Sequence, residues 1–228
     1  MKNRILLLFT LLIVGVLAAG CGLMQAPEEA SAPIEAIPVA DSAEGTAAGD
    51  NATTFTISPE GSQVRFELDE DLRGNRITVV GTTDQVAGQI VADLSNLASA
   101  QAGIIQINAR TLATDNDFRN RALSNEILDT GDYEFITFTP TAVNGLPASV
   151  SAGDSVEFTI DGDLTIRDTT APVTFTVIAT AVSDTQLQGT ASATITRTAF
   201  GLTIPSVPSV ANVEEEVELY IDFTANAS

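Results

Sequence analysis

The chain has 228 residues, 30 Asp plus Glu against 10 Lys plus Arg, and a formal net charge of −20. It has no His, no Trp and one Cys, which excludes an imidazole base, a Ser-His-Asp triad, a His or Cys-rich metal site and an intramolecular disulfide. So few cations argue against a nucleic-acid partner, while 44 % hydrophobic residues still provide for a core in one domain plus appendages.

The first element, residues 1–20, reads as a signal peptide. Lys2 and Arg4 make a short basic start, Ile5 to Leu17 is apolar, and Ala18, Ala19 and Gly20 precede Cys21. The apolar run is short of the roughly 20 residues that span a bilayer. Ala18-Ala-Gly-Cys21 resembles the lipobox of bacterial lipoproteins, although Ala18 stands where Leu is frequent. That resemblance implies lipidation of Cys21 and an extracytoplasmic, membrane-anchored protein, in the periplasm or on the cell surface. Loss of Lys2 and Arg4 takes the formal charge from −20 to −22 and leaves arginine as the one type of side-chain cation.

Residues 21–53 then read as the lipidated Cys followed by a disordered acidic tether. The segment is rich in Ala, Pro, Ser and Gly, lacks aromatics and cations, and carries Glu28, Glu29, Glu35, Asp41, Glu44 and Asp50. Such a composition buries too little apolar surface to offset chain entropy, and a coil of this length reaches roughly 30 Å.

Residues 54–228 form one domain, all-β by pattern. Ser62 to Leu68 alternates, with Val64, Phe66 and Leu68 on one face. Similar runs follow at Asn75–Gly81, Gln85–Leu94, Gly103–Leu112, Tyr133–Val143, Val156–Arg167, Pro172–Val182, Gln186–Thr198 and Val213–Thr224. Nine strands separated by Gly, Asp, Asn and Pro predict an antiparallel sandwich or barrel. Asp115 to Leu128 departs from this pattern. Phe118, Ala122, Leu123 and Ile127 recur at helical spacing, with Thr114 or Asp115 as a cap.

A set of phrases stands in order along the domain: Thr56-Ile-Ser-Pro-Glu-Gly-Ser62, Asn108-Ala-Arg-Thr-Leu-Ala-Thr114, Gly162-Asp-Leu-Thr-Ile166, and Arg197 through Phe200-Gly201. Together they resemble the YceI-like family of bacterial polyisoprenoid-binding proteins, over essentially all of Thr54 to Ala225. The resemblance implies a lipocalin-like antiparallel β-barrel with one short helix, whose elongated cavity holds a polyisoprenoid, an isoprenoid quinone or a similar amphiphile for transport or storage. Many members carry His-Ser ahead of the first Val-x-Phe. Here the pair is Gly61-Ser62, so any role of that His does not carry over.

The inward parities name the candidate ligand-binding residues: Phe66, Leu68, Ile90, Ile105, Ile107, Phe138, Phe158, Ile160, Leu164, Phe175, Val177 and Ile195. Small residues of the same parity, Gly162, Gly189, Ala191 and Ala193, favour room for a ligand. Arg197 shares the apolar parity and is the candidate polar contact, set either against a ligand head group or against a partner such as Asp163 or Asp222. Asp161 and Asp163 share a strand face, as acid–base or Ca²⁺-binding carboxylates would, but a solvated face is the simpler account. Nothing in the spacing assembles a catalytic or metal constellation, so neither enzyme activity nor a cofactor is expected. The expected partners are an apolar lipid ligand and the membrane through Cys21, with a homodimer left open. The alternative is a lipid-anchored interaction module of the cell envelope whose barrel is filled by side chains.

Overall fold

The computed structural model describes residues 26–39 and 51–228. The proposed signal peptide, Cys21 and residues 22–25 and 40–50 of the tether lie outside the described residues. The domain is built from β1 (Thr53–Ile57), β2 (Gln63–Leu72), β3 (Asn75–Thr83), β4 (Val86–Ala87), β5 (Gln89–Asp93), β6 (Asn96–Ala102), β7 (Ile105–Asn108), β8 (Phe135–Asn144), β9 (Ser155–Ile166), β10 (Thr169–Ser183), β11 (Gln186–Thr196), β12 (Val210–Ala211) and β13 (Glu216–Ala227). Each of the nine predicted runs coincides with one or two of these strands. β1, the Ala- and Ser-rich β6 and the two-residue β12 were not among them.

All pairings are antiparallel, and the sheet curls on itself. From β4 the order runs β7, β8, β9, β10, β11 and β13. β13 in turn pairs β2, β2 pairs β3, and β3 leads by chain into β4. Among the described residues β3 pairs β2 alone and β4 pairs β7 alone, with one isolated Thr82–Ala113 bridge beside the gap, so the sheet is a curled half-barrel.

β13 is where the sheet forks. Its whole length pairs β11 on one side. On the other side, Glu218 to Asp222 pairs β2, whereas Ala225 to Ala227 pairs β1, which carries β5 and β6 beyond it. Thr224 sits at the fork, wrapped by the β1–β2 turn. Its N–H donates to Ser62 Oγ (3.0 Å), its carbonyl accepts from Ser58 N (2.9 Å), and its hydroxyl donates to the Gly61 carbonyl (3.1 Å). Ser62 is buried, so its hydroxyl stands in for the ladder partner that neither strand supplies to Thr224.

The period-two alternation sends Phe158, Ile160, Leu164 and Ile166 of β9 and Phe175 and Val177 of β10 into the interior core. The β2–β3 hairpin turns through Arg73 (φ +52°) and Gly74 (φ +81°). Positive φ at both central residues is the two-residue turn whose twist suits a hairpin, and Gly74 takes it without steric cost.

The helical segment is α1 (Asp117–Ala122), followed by one π-helical turn, Leu123–Ile127, in which Leu128 N donates to the Leu123 carbonyl. The cap is Asn116, rather than Thr114 or Asp115: its side chain accepts from Phe118 N and Arg119 N. Thr114 is occupied by Asn120, whose side-chain oxygen accepts from both the N–H and the hydroxyl of Thr114. Arg119 reaches from α1 to Glu70 (3.0 Å), a buried carboxylate on the inward parity of β2, and to Asp115 (2.7 Å). This pair fastens the helix to the barrel end.

Residues 26–39, part of the predicted tether, run as an extended strap past β7 from its C-terminal to its N-terminal end. Glu28 pairs with Arg110 (2.9 Å), Ser31 N donates to Glu134 Oε1 (2.8 Å), and Val39 N donates to Gln89 Oε1 (3.1 Å). Gly103 admits Val39, since a Cβ there would lie 2.8 Å from a Val39 methyl. Composition marks this stretch as linker because its fastenings are single polar contacts rather than a periodic apolar face. Burial raises the Glu134 pKa, but hydrogen bonds from Ser31 and Asn108 and the charge of Arg110 outweigh it, so the net shift is below the ordinary 4.5.

Two outcomes follow. Ser62→Ala leaves the Thr224 N–H at the fork without an acceptor and should lower stability by about 1–3 kcal/mol in urea denaturation. Glu134 is charged in the folded form to a lower pH than in the unfolded chain. Its contribution is therefore fully present above the ordinary value and lost as pH falls through the depressed one. Amide signals of residues 27–39 should thus hold their docked positions at neutral pH and move on acidification below that value, and in Glu134→Ala they should sit at the released positions already at pH 7.

Candidate functional site: a divided apolar interior

Among the described residues two cavities open within the curled sheet. The larger, about 640 Å³, lies in the lobe made by β2 and β3 and is bounded at its rim by α1, the Arg73 hairpin turn and the Leu202–Val213 segment. The smaller, about 130 Å³, lies in the lobe made by β1, β5 and β6. Each lobe of the β13 fork therefore carries its own chamber. Phe138, Phe175 and Ile221 belong to the walls of both.

Phe138 and Phe175 form the partition. Their ring centroids are 4.9 Å apart with planes at 71°, an edge-to-face contact. Phe138 on β8 lies over Gly162 on β9, where an added Cβ would meet the ring at 2.5 Å and the Thr139 carbonyl at 2.6 Å. Gly162 thus admits a ring rather than a ligand. Gly189 is alike: a Cβ there would lie 2.5 Å from the Ile178 carbonyl and 2.8 Å from the Phe223 ring. The room expected from small inward residues is used by aromatic side chains at both positions, and of that group Ala191 faces a chamber, the smaller one.

All thirteen candidate residues stand in the walls. Phe66, Leu68, Ile107, Leu164, Ile195 and Arg197 line the large chamber, Ile90, Ile105, Phe158, Ile160 and Val177 the small one, and Phe138 and Phe175 both. Arg197 is held by main-chain and side-chain acceptors together: Nε donates to the Glu214 carbonyl (2.7 Å), Nη2 to the Val213 carbonyl (3.3 Å), and Glu215 lies 3.2 Å away. Asp163 and Asp222 are not its partners; Asp222 instead accepts from Thr190. Arg197 pins the Val213–Glu215 segment, and most of its hydrogen-bonding capacity is spent there.

The wall residues missed by sequence reading come from segments without a strand period. Phe118, 76 % exposed, projects from α1 at the rim of the large chamber. Arg73 is a turn residue, and Leu202, Ile204, Pro205 and Val207 belong to the irregular segment before β12. Glu70 stands between Asp69 and Asp71 in an acidic run, yet inward alternation through Val64, Phe66 and Leu68 places it in the same wall. Asp69 and Asp71, of opposite parity, face outward onto Arg76. Asp161 accepts from Asn144 (2.9 Å) and Thr174 (2.5 Å) on the outside of the sheet. Among the described residues no cluster of three His, Cys, Asp or Glu could hold a metal ion.

The arrangement is a mostly apolar hollow, partly open to solvent, with polar groups gathered at one rim and of a size that suits small-molecule binding. Comparison with known proteins agrees with this architecture. The structure is similar to a polyisoprenoid binding domain from Saccharophagus degradans (TM-score 0.63, 14 % identity, 77 % of this chain and 99 % of that one). It is also similar to Burkholderia cenocepacia BcnA (TM-score 0.59, 19 % identity, 75 % and 99 %) and to the Campylobacter jejuni YCEI protein (TM-score 0.52, 17 % identity, 65 % and 84 %). At these identities the likeness establishes the fold. No curated protein matches the chain. The family model described as the YceI-like domain matches residues 55–225, so this chain belongs to the YceI-like family.

Proposed function

We propose that this protein is a non-catalytic, extracytoplasmic binder of a long apolar molecule, a polyisoprenoid, isoprenoid quinone or similar amphiphile, held in the large chamber for transport or storage. The observation that carries the reading is the chamber of about 640 Å³, walled by alternate apolar side chains of β2, β9, β10, β11 and β13. Burial of a hydrocarbon tail contributes about 0.8 kcal/mol per methylene, so several isoprene units bind well with few polar contacts even after ordering costs. A polyisoprenoid binding domain among the similar structures supports the same ligand class. The chambers speak against the alternative of a barrel filled by side chains.

Anchoring belongs to the same proposal. Cys21, next to the lipobox-like Ala18-Ala-Gly, would carry the acyl chains, and the protein would work at a membrane surface.

The protein purified from its native membrane should release a stoichiometric apolar lipid into organic solvent, identifiable by mass spectrometry. A preparation that repeatedly yields no lipid and takes up no fluorescent polyprenyl probe would overturn the reading. Phe138→Ala removes the partition and joins the chambers. It should cost about 3–5 kcal/mol of stability and move the preferred tail to a greater length in a series of polyprenols, whereas an unchanged length profile would mean that the small chamber takes no part.

A further inference from the structure

We propose that the small chamber is a binding site in its own right, for a compact, uncharged apolar molecule about the size of one aromatic ring, separate from the ligand of the large chamber. This second site does not depend on what the large chamber holds.

Side-chain volume decides the space. Six alanines reach the wall of the small chamber: Ala92 on β5, Ala100 and Ala102 on β6, Ala179 and Ala181 on β10, and Ala191 on β11. Leu, Ile or Val at a few of these positions would fill the chamber's volume of about 130 Å³ with side chains. Alanine is also a weak strand former, so local preference does not account for six of them at wall positions. The strands that wall the large chamber contribute no alanine to it. Positions that depart together from what local structure favours collect at functional sites.

Bulky apolar side chains make up most of the remaining wall, among them Ile57, Ile90, Leu97, Phe158 and Val177. A water there meets too few polar partners to be held. Apolar cavities of about 150 Å³ lined by such residues take up benzene or xenon, which supplies the dispersion contacts the wall lacks. The polar side chains at the wall, Gln101, Asp154 and Thr180, already have partners. Asp154 accepts from the Ser151 N–H (2.8 Å), and the Thr180 and Ser155 hydroxyls share a hydrogen bond (2.6 Å). No cation lines the chamber among the described residues. An uncharged molecule that asks for no hydrogen bond is therefore the class that fits.

The two chambers also face opposite ways. β8 leaves the α1 end at Phe135 and reaches the β8–β9 connection at Asn144. Leu146 and Val150 of that connection complete the wall of the small chamber. The connection rests on the β5–β6 hairpin through two main-chain bonds, Leu97 N to the Ala148 carbonyl and Val150 N to the Leu94 carbonyl, both 2.9 Å. On the inner side the Phe138–Phe175 pair stands between this site and the large chamber. A compact molecule can therefore enter from the end away from α1 without displacing either ring.

The test uses the full chain, purified in detergent, stripped of lipid and labelled at its methyl groups for NMR. It is titrated with benzene, with benzoate, and with benzene after saturation by a polyprenol. The methyl signals of Ile57, Leu97 and Val177 should shift saturably with benzene, half-way at about 1 mM free benzene or below, and should not respond to benzoate. The same response should persist with polyprenol bound. Ala191→Leu, which fills the chamber, should weaken it by about tenfold or more while polyprenol binding is unchanged, which also reports an intact fold. Ala100→Leu fills the chamber from β6 and carries the same expectation. No saturable shift at these methyls in the native chain, or a response that both filling variants leave intact, overturns the inference and leaves the lipid site standing. Displacement of benzene by the polyprenol overturns it in favour of one continuous site for a tail. Benzoate binding as tightly as benzene overturns the uncharged class. A benzene response from a chain that binds no polyprenol supports the second site and overturns the lipid reading of the first.

Discussion

One strand that must satisfy three neighbours governs this molecule. β13 gives one edge to β11 along its whole length and divides the other between β2 and β1. A strand can divide an edge only if the backbone groups at the change of partner are satisfied. Here the Ser62 hydroxyl, the Ser58 N–H and the Gly61 carbonyl meet Thr224 at that point. From the fork the sheet opens into two lobes, and the cavity in each follows from the divergence of their walls. The fork thus links a few hydrogen bonds in a tight turn to the volume and shape of the interior.

The interior stays open for a second reason. Strands of one barrel wall can approach only as far as their inward side chains interdigitate. The bulkiest of these, Phe138 and Phe175, meet each other across the middle. Glycine under Phe138 lets that ring lie flat against β9, which draws the walls together at the partition and leaves space on either side. Apolar space that side chains do not fill forgoes dispersion contacts. A ligand that binds the folded state restores them and raises apparent stability with its concentration.

Much of this was legible in the sequence, because period-two alternation is a local property that survives folding. Val64, Phe66 and Leu68, or Phe158, Ile160 and Leu164, announce both strand and inward face, and that is why the candidate wall residues fall where alternation puts them. Three kinds of feature were not legible. β6, with Ala98, Ser99 and Ala100 at its centre, has too little apolar contrast to mark a strand. Glu70 lies in an acidic run, and its inward orientation depends on register and on an arginine 49 residues away that neutralises it. The rim, from Arg73, Phe118 and the Leu202–Val207 stretch, is assembled from a turn, a helix and an irregular segment, whose meeting is decided by the curl of the sheet.

The docked strap has a consequence for working geometry. A free tether from Cys21 to the first strand would let the domain tumble at arm's length from a bilayer. With Glu28 clasped by Arg110, the slack between a lipid at Cys21 and the barrel would be seven residue steps, at most about 25 Å. Arg110 also holds the Thr130 and Gly131 carbonyls, just beyond the helical segment at the rim of the large chamber. An anchor at Cys21 would therefore act as a short leash fixed near the chamber's opening, setting the domain's attitude as well as its distance. While the clasp holds, a lipid at Cys21 would keep the opening close to the surface that carries it.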